Sequence, residues 1–164
     1  MIMTFFYKAK SFVLMSYLLL IGISLGAIIT TALSASSIFG AAKIVEGLQI
    51  THFQSGILMT SIFLKFNILM NILAFFIIVV EILYFQINKA KITPFLGLVN
   101  IALIFLFTLY YTPAILEAQK LGEAATQTES FYQIHQQSVW VFKALIITLT
   151  ALFFTHLYPK LKFS

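Results

Sequence analysis

Four long apolar runs constrain this chain more than any other feature of its sequence. They cover about residues 11–33, 57–85, 94–112 and 138–158, and most of the charged residues lie between them. A helix needs roughly 20 residues to cross the hydrocarbon core of a bilayer, and each run meets that length within tolerance. No run alternates with a period of two, as a barrel strand would. The pattern predicts an all-α integral membrane protein, a four-transmembrane-helix bundle that forms a single domain over residues 1–164.

The composition favours lipid, and not water, as the solvent of the outer surface. Hydrophobic residues make up 61% of the chain and charged residues only 9%. The net charge of +5 comes from ten Lys and no Arg, against five Glu and no Asp. In a soluble protein this balance could indicate nucleic acid, but most of the lysines flank the apolar runs, where they orient the chain and contact anionic headgroups. We expect the lipid bilayer as a partner and no nucleic acid.

The lysines also predict how the chain crosses the membrane. With the N-terminus inside, the cytoplasmic segments carry Lys8, Lys10, Lys89, Lys91, Lys160 and Lys162, and the two outer loops carry only Lys43 and Lys120 beside four of the five glutamates. Because positive charge concentrates in cytoplasmic loops, both ends are expected on the cytoplasmic side, N-in and C-in. All-lysine usage with abundant Ile and Phe is typical of an AT-rich bacterial genome, which predicts a multi-pass protein of a bacterial inner (cytoplasmic) membrane.

The first run has an alternative interpretation. Lys8 and Lys10 precede an apolar stretch that ends at Ala32-Leu33-Ser34, which resembles a secretory signal with a cleavage site. Its apolar region is longer than the usual ~7–15 residues of a signal. A membrane anchor is therefore the favoured interpretation.

Helical extensions are expected on the outer side. Thr51-His-Phe-Gln54 and Thr126-Gln-Thr-Glu129 both match the capping box, in which two side chains satisfy free backbone amides at a helix start. Between residues 114 and 125, apolar residues recur at helical spacing, which predicts a short helix on the outer face. The second and fourth helices would then begin above the membrane.

Gly22 and Gly26 on the first run form a pair of small residues four apart. Small side chains let helix backbones approach closely, and lipid offers no hydrophobic drive to pack helices otherwise. We expect this pair to pack against another helix of the same bundle. The alternative is a face for a homo-oligomer or for a membrane protein partner.

Asparagines form a second group of candidates. Asn67 and Asn71 share one face of the second run with Thr60, and Asn100 and Thr148 lie at comparable depth on the third and fourth runs. Buried amides most often hydrogen-bond across helices. A path for a substrate or an ion is the alternative, because polar groups inside membranes are costly.

Three charged residues lie within the apolar runs. Lys65 and Lys143, near the outer ends of the second and fourth runs, can extend their ammonium groups to the interface. Glu81 lies near the inner end, close in depth to Lys10 and Lys91. An interfacial ion pair is the simpler interpretation of Glu81, and a proton-coupling carboxylate is the alternative.

The histidines do not match a metal or catalytic motif. His52 and His135 lie near outer helix ends, where they could ligate haem or copper together with Met59, and His156 lies near the inner end. Their spacing does not support ligation, since it includes no His-x-x-x-His pair. Without Asp there is no Ser-His-Asp set, and no phosphate loop or dinucleotide fingerprint is present. We expect no enzymatic activity, no catalytic residues, no metal and no cofactor.

The entry to the fourth run resembles a known family. Phe131-Tyr-Gln-Ile-His135-Gln-Gln-Ser138 resembles the Phe-x-x-x-His-x-x-Ser signature of the transmembrane protein 205-like family, whose bacterial members carry the domain of unknown function 4149. The stretch Ile62-Phe63-Leu64-Lys65-Phe66-Asn67 resembles the opening of the family's second helix, and Tyr110-Tyr111-Thr112-Pro113 the exit of its third. Gly22 and Gly26 lead to Phe39 as in its first segment. The resemblance covers nearly the whole chain.

The resemblance implies a four-helix membrane protein of unestablished activity. The family's eukaryotic members are linked to tolerance of platinum drugs, which implies export or vesicle traffic. It also marks Phe131, His135 and Ser138 as candidate binding residues, with His135 and Ser138 on one helical face. The alternative is that the His and Ser side chains tie the outer helix end to the neighbouring loop.

Two functions remain open at this point. The protein either binds or exports a small molecule or ion through a cavity lined by Asn67, Asn71, Asn100 and His135, or it is a structural or accessory subunit. A subunit would dock its partner through the outer loops or through the face of Gly22 and Gly26. A haem- or copper-binding membrane protein is the third alternative.

Overall fold

The computed structural model describes residues 2–88 and 91–161, with side chains described for 10–86 and 91–158. This part of the chain contains helices and no strand. The long helices are α1 (Ile2–Phe39), α3 (His52–Asn88), α4 (Ile92–Phe105) and α6 (Glu129–Leu161), and the short ones are α2 (Ala41–Ile44) and α5 (Thr112–Lys120). A π-helical segment (Leu106–Tyr111) joins α4 to α5, and a 3₁₀ segment (Glu123–Gln127) precedes α6.

Four helical stretches are long and apolar enough to cross a membrane. They are Lys10–Phe39, His52–Gln86, Ile92–Lys120 and Glu129–Tyr158. Between 28% and 33% of each apolar window is buried inside the chain, so most of its apolar surface is left for lipid. The predicted all-α architecture with four candidate membrane helices is confirmed.

The direction of the helices across the membrane stays a prediction. Lys89 and Lys162, which carry part of the charge argument, lie outside the described residues, as do the side chains of Lys8 and Lys160. Lys91 is exposed at the start of α4.

One of the two predicted capping boxes is confirmed. Gln54 N donates to Thr51 Oγ1 at 3.1 Å, and Thr51 N donates to Gln54 Oε1 at 2.9 Å, which is the reciprocal arrangement. N-caps of this kind typically contribute about 0.5–2 kcal/mol to stability. This cap sets the start of α3 beside the end of α1.

The second predicted capping box, over residues 126–129, is wrong. Thr126 lies inside the 3₁₀ segment, and its hydroxyl donates to the Glu123 carbonyl. The residue that caps α6 is Thr128, whose Oγ1 accepts from Phe131 N at 3.2 Å. Thr128 has extended backbone angles, as an N-cap requires, whereas Thr126 is part of a helical turn.

The third membrane helix does not end where the sequence predicts. Instead of a separate short helix over residues 114–125, α5 continues directly from α4 through the π segment to Lys120. Pro113 lacks an amide to donate, and the wide π turn before it accommodates this loss while Thr112 Oγ1 donates to the Phe107 carbonyl at 3.0 Å. Gly122, at φ 101°, then turns the chain towards α6.

The long helices form a closed four-helix arrangement. α1 contacts α3 and α6, and α4 also contacts α3 and α6. The centre is mostly apolar, and its fully buried apolar residues include Ile21, Ile28, Met70, Leu73, Ile77, Ile104, Leu145, Leu149 and Leu152, while Ser24 and Asn100 are fully buried polar residues. We call the end that carries the α1–α3 and α5–α6 connections the cavity end, and the opposite end, where α1 begins and α6 finishes, the terminal end.

Candidate functional site

A cavity of about 940 Å³ lies at the cavity end. Its walls are mostly apolar and come from α1, α3, the π segment, α5, the 3₁₀ segment and α6. This volume is near the upper limit of typical ligand sites, which are roughly 300–1,000 Å³. The wall residues used below are Ala35, Phe39, His52, Phe53, Gly56, Met59, Phe63, Phe107, Gln119, Glu123, Gln127, Phe131, His135, Ser138, Val139, Phe142 and Lys143.

The residues that carry the resemblance on α6 all line this cavity. The rings of Phe131 and His135 are stacked, with centroids 6.1 Å apart and planes 3° apart. Ser138 Oγ donates to the His135 carbonyl at 2.7 Å, a bond within α6. The expectation that Ser138 ties the helix end to the neighbouring loop is therefore wrong, since its hydroxyl is used by its own helix.

His52 lies on the same cavity wall as His135, although the two are far apart in sequence. Its ring contacts Phe39, with centroids 4.8 Å apart. Met59 also lines the cavity. In the described part of the chain, no group of three or more His, Cys, Asp or Glu side chains is placed to hold a metal ion. The expectation that His52 and His135 hold no metal and no cofactor stays a prediction, and ligation of haem or copper stays the alternative.

A layer of phenylalanines closes the bottom of the cavity. Every pair among its four rings has centroids between 5.5 and 6.4 Å apart, which is the range of favourable aromatic contact. Three of the rings line the cavity, and the fourth is buried behind them. The layer consists of Phe63, Phe66, Phe107 and Phe142. It separates the cavity from the apolar centre of the bundle.

Two of the three candidate asparagines form contacts between helices. Thr148 Oγ1 donates to Asn100 Oδ1 at 2.7 Å, and Thr108 Oγ1 donates to Asn71 Oδ1 at 2.9 Å. Asn100 also donates to the Leu96 carbonyl at 2.8 Å. These bonds join α6 to α4 and the π segment to α3, which matches the expectation that buried amides bond across helices.

The remaining predicted residues do not join the asparagines in one site. Asn67 is buried, and its Oδ1 has no hydrogen-bond partner within the described residues. Lys65 and Pro113 are exposed. The expected cavity lined by Asn67, Asn71, Asn100 and His135 together is wrong, since the cavity wall contains only His135 of these four.

Lys143 is part of the cavity wall, which the sequence did not predict. It lines the cavity and lies over the ring of Trp140, 4.8 Å from the centroid, which is a cation–π contact. The available sequence signal was the Trp-x-x-Lys spacing, which places both side chains on one helix face. Gly56 and Gln119 were missed as well, because the approach of α5 to α3 depends on how the third helix continues.

Gly22 and Gly26 do not pack inside the bundle. Both are exposed, and a Cβ added at either position would meet no atom within 4 Å. The expectation of close packing within the chain is therefore wrong. Their alternative role, as a face for a second copy or a partner, stays a prediction.

Glu81 is buried inside the bundle. It is 4% exposed, and its Oε1 accepts from Tyr17 Oη at 2.9 Å and lies 2.6 Å from His156 Nε2. This cluster at the terminal end was not predicted as a unit, because its three members come from three different helices.

Comparison with protein families gives a match over the first three membrane helices. The model of a domain of unknown function (DUF4149) matches residues 15–124, which is more than half of the chain. The match includes α3, α4 and α5 and ends before Phe131, His135 and Ser138. The comparison with curated proteins found no match, and neither did the comparison with solved structures. The wider relation to the transmembrane protein 205-like family stays a prediction.

Proposed function

Since the chain belongs to the DUF4149 family, we propose that it is a small membrane protein that binds an amphipathic small molecule at the cavity end of its bundle. The observation that carries this proposal is the cavity of about 940 Å³ with mostly apolar walls. Binding sites for small molecules are typically concave, apolar and equipped with a few polar groups that orient the ligand.

The apolar part of the ligand would lie against the phenylalanine layer. Phe63, Phe107 and Phe142 present their rings to the cavity, and burial of apolar surface stabilises a complex by roughly 25 cal/mol per Å² before the costs of association. An acyl chain or a fused-ring body fits such a surface.

The polar part of the ligand would accept hydrogen bonds. The side chains of His52, His135 and Lys143 line the cavity, and an ammonium group donates only, while a neutral imidazole donates from one nitrogen. The amides of Gln119 and Gln127 add further donors. A carboxylate, phosphate or carbonyl head group would satisfy them.

Binding is better supported than passage through the bundle. The phenylalanine layer and the apolar centre beneath it lie between the cavity and the terminal end. Export would require this layer to separate, whereas binding requires no change below it. The geometry therefore favours a site that is loaded and emptied at the cavity end.

A fluorescent fatty acid, dansyl-undecanoic acid, tests the proposed site on the full-length protein in detergent. We expect saturable binding with a rise in dansyl emission, and we expect Val139→Trp to weaken it by about tenfold or more, because the indole would fill part of the cavity. The matched control is Val79→Trp, since Val79 is exposed on α3 and is not part of the cavity wall. Equal affinity in both variants would contradict the site.

We also propose that both chain ends are cytoplasmic and that the cavity end faces outwards in a bacterial inner membrane. The support is the lysine excess in the segments assigned to the inside. Alkaline phosphatase is active only outside the cytoplasm, so we expect an inactive enzyme when it is fused after Ser164 and an active one when it is inserted between Leu121 and Gly122. The reverse pattern of activities would overturn this orientation.

A second candidate function, an accessory subunit, is favoured by one observation. The backbone at Gly22 and Gly26 is open to a neighbour, and such a surface allows close approach of another helix. The occupant we propose for this face is the same helix of a second copy of this chain. Gentle extraction that yields only monomer would contradict it.

A further inference from the structure

Tyr17, Glu81 and His156 meet in the interior of the terminal end. Tyr17 and His156 are 1% exposed and Glu81 is 4% exposed. The 2.9 Å bond from Tyr17 and the 2.6 Å contact of His156 Nε2 both involve the same carboxyl oxygen, Oε1. The carboxyl and the imidazole therefore form a direct pair that is closed to water in this conformation.

The surroundings of the pair are tightly packed. The rings of Tyr17 and Tyr84 contact the His156 ring edge-on, with centroids 5.5 and 4.7 Å away. On the α4 side, Gly97 lies so close that an added Cβ would be 2.7 Å from Glu81 Cγ. Thr93, one helical turn before Gly97, is 3% exposed. Each of the four long helices thus contributes to this cluster.

Two atoms of the pair have no hydrogen-bond partner within the described residues. They are Glu81 Oε2 and His156 Nδ1. Thr93 Oγ1 is a third buried atom at this end without a partner. Buried polar atoms are nearly always satisfied, and exceptions call for an explanation in function or in an additional bound species.

The other titratable groups at this end come from every packed element. Lys10 lies about two turns before Tyr17 on α1, and Tyr84 follows Glu81 on α3. Lys91 precedes α4 and is exposed, and Tyr158 on α6 is also exposed.

The net charge of the Glu81–His156 pair depends on how many protons it carries. An ionised Glu81 beside a neutral His156 leaves a charge of −1 in an apolar interior, which is costly. One added proton makes the pair neutral overall. The proton rests either on the imidazole or on the carboxyl group, and these two forms differ only in the position of the proton along the 2.6 Å contact. Two added protons would give a charge of +1.

We propose that Glu81 and His156, with Tyr17 as a positioning residue, form a binding site for one proton at the terminal end of the bundle. The reaction is addition of H⁺ to the carboxylate–imidazole pair, and its reverse leaves the pair with a charge of −1. Because the pair joins α3 to α6, and Tyr17 joins both to α1, loss of the proton weakens the contact between these helices. The site is independent of the cavity, which lies beyond the phenylalanine layer.

The test uses full-length protein labelled with ¹⁵N-histidine and reconstituted in nanodiscs. ¹⁵N NMR reports the protonation of His156, and infrared difference spectroscopy reports a protonated carboxyl group of Glu81. His156 is assigned by elimination with His52→Gln and His135→Gln, and the Glu81 band by its loss in Glu81→Gln. The measurements on the unsubstituted protein decide the question even if Glu81→Gln does not fold.

At neutral pH we expect one of two signatures, an imidazolium at His156 or a carboxylic acid at Glu81. We expect that signature to disappear in a single step as the pH rises, with changes at both residues together. An ionised Glu81 beside a neutral His156 at neutral pH would overturn the proposal, as would a pair that stays unchanged up to the pH at which the protein unfolds.

Discussion

Replacing His156 with leucine is expected to lower the free energy of unfolding by about 3–5 kcal/mol, the usual cost of removing one partner of a buried ion pair. Glu81, which is 4% exposed in the unsubstituted protein, would keep only the hydrogen bond from Tyr17. The ring contacts of His156 with Tyr17 and Tyr84 would be lost as well. Reversible unfolding in mixed detergent and SDS micelles measures the effect.

The matched control for this substitution is His135→Leu on the same helix. His135 is exposed on the cavity wall, so we expect a change within about 0.5 kcal/mol. Adding Glu81→Gln to His156→Leu should recover part of the stability, since Gln carries no charge. Strictly additive losses would show that the two residues do not interact.

Replacing Gly97 with alanine is expected to destabilise the protein by about 1–3 kcal/mol through overpacking. The added Cβ would lie 2.7 Å from Glu81 Cγ and 3.1 Å from Ile77 Cγ2. Both neighbours are buried side chains of α3, so neither can move away without shifting the α3–α4 contact or the bond to His156. The higher helix propensity of alanine offsets up to about 1 kcal/mol of this loss.

Gly22→Ala is the control because it makes the same chemical change on α1. A Cβ there would meet no atom of this chain within 4 Å, so in the monomeric protein the steric cost is absent and only the gain in helix propensity remains. We therefore expect the two substitutions to have opposite signs in the same unfolding measurement. Equal effects would contradict the assignment of Gly97 as a close contact and Gly22 as a free surface.

Local features of this fold could be predicted from neighbouring residues alone. The Thr51 capping box is one example, because both of its hydrogen bonds join residues three apart. The capping box predicted over residues 126–129 is wrong because it, too, was inferred from local sequence alone. Its sequence matches, but Thr126 belongs to a 3₁₀ turn that the preceding Gly122 sets up. A local pattern is reliable only where the backbone around it is already determined.

Features that depend on two helices were predicted less well. Asn71 and Asn100 do bond across helices, but to Thr108 and Thr148 in two separate contacts and not around one cavity. Gly22 and Gly26 match a helix-packing motif, yet they lie on the exposed side of α1. A small-residue pattern shows that close approach is allowed, and it does not show which helix makes that approach.

The sequence by itself determined that this chain forms four apolar helices suited to a membrane, because hydropathy and helical length are properties of each segment alone. It also placed Phe131, His135 and Ser138 on the start of the last helix. Only the tertiary structure decided that His135 shares a cavity with His52 and Lys143, and that Glu81 pairs with Tyr17 and His156. Those groupings depend on the rotation and register of each helix against its neighbours. Most of each helix surface is apolar and faces either lipid or protein, so hydrophobic periodicity alone does not determine which face turns inwards.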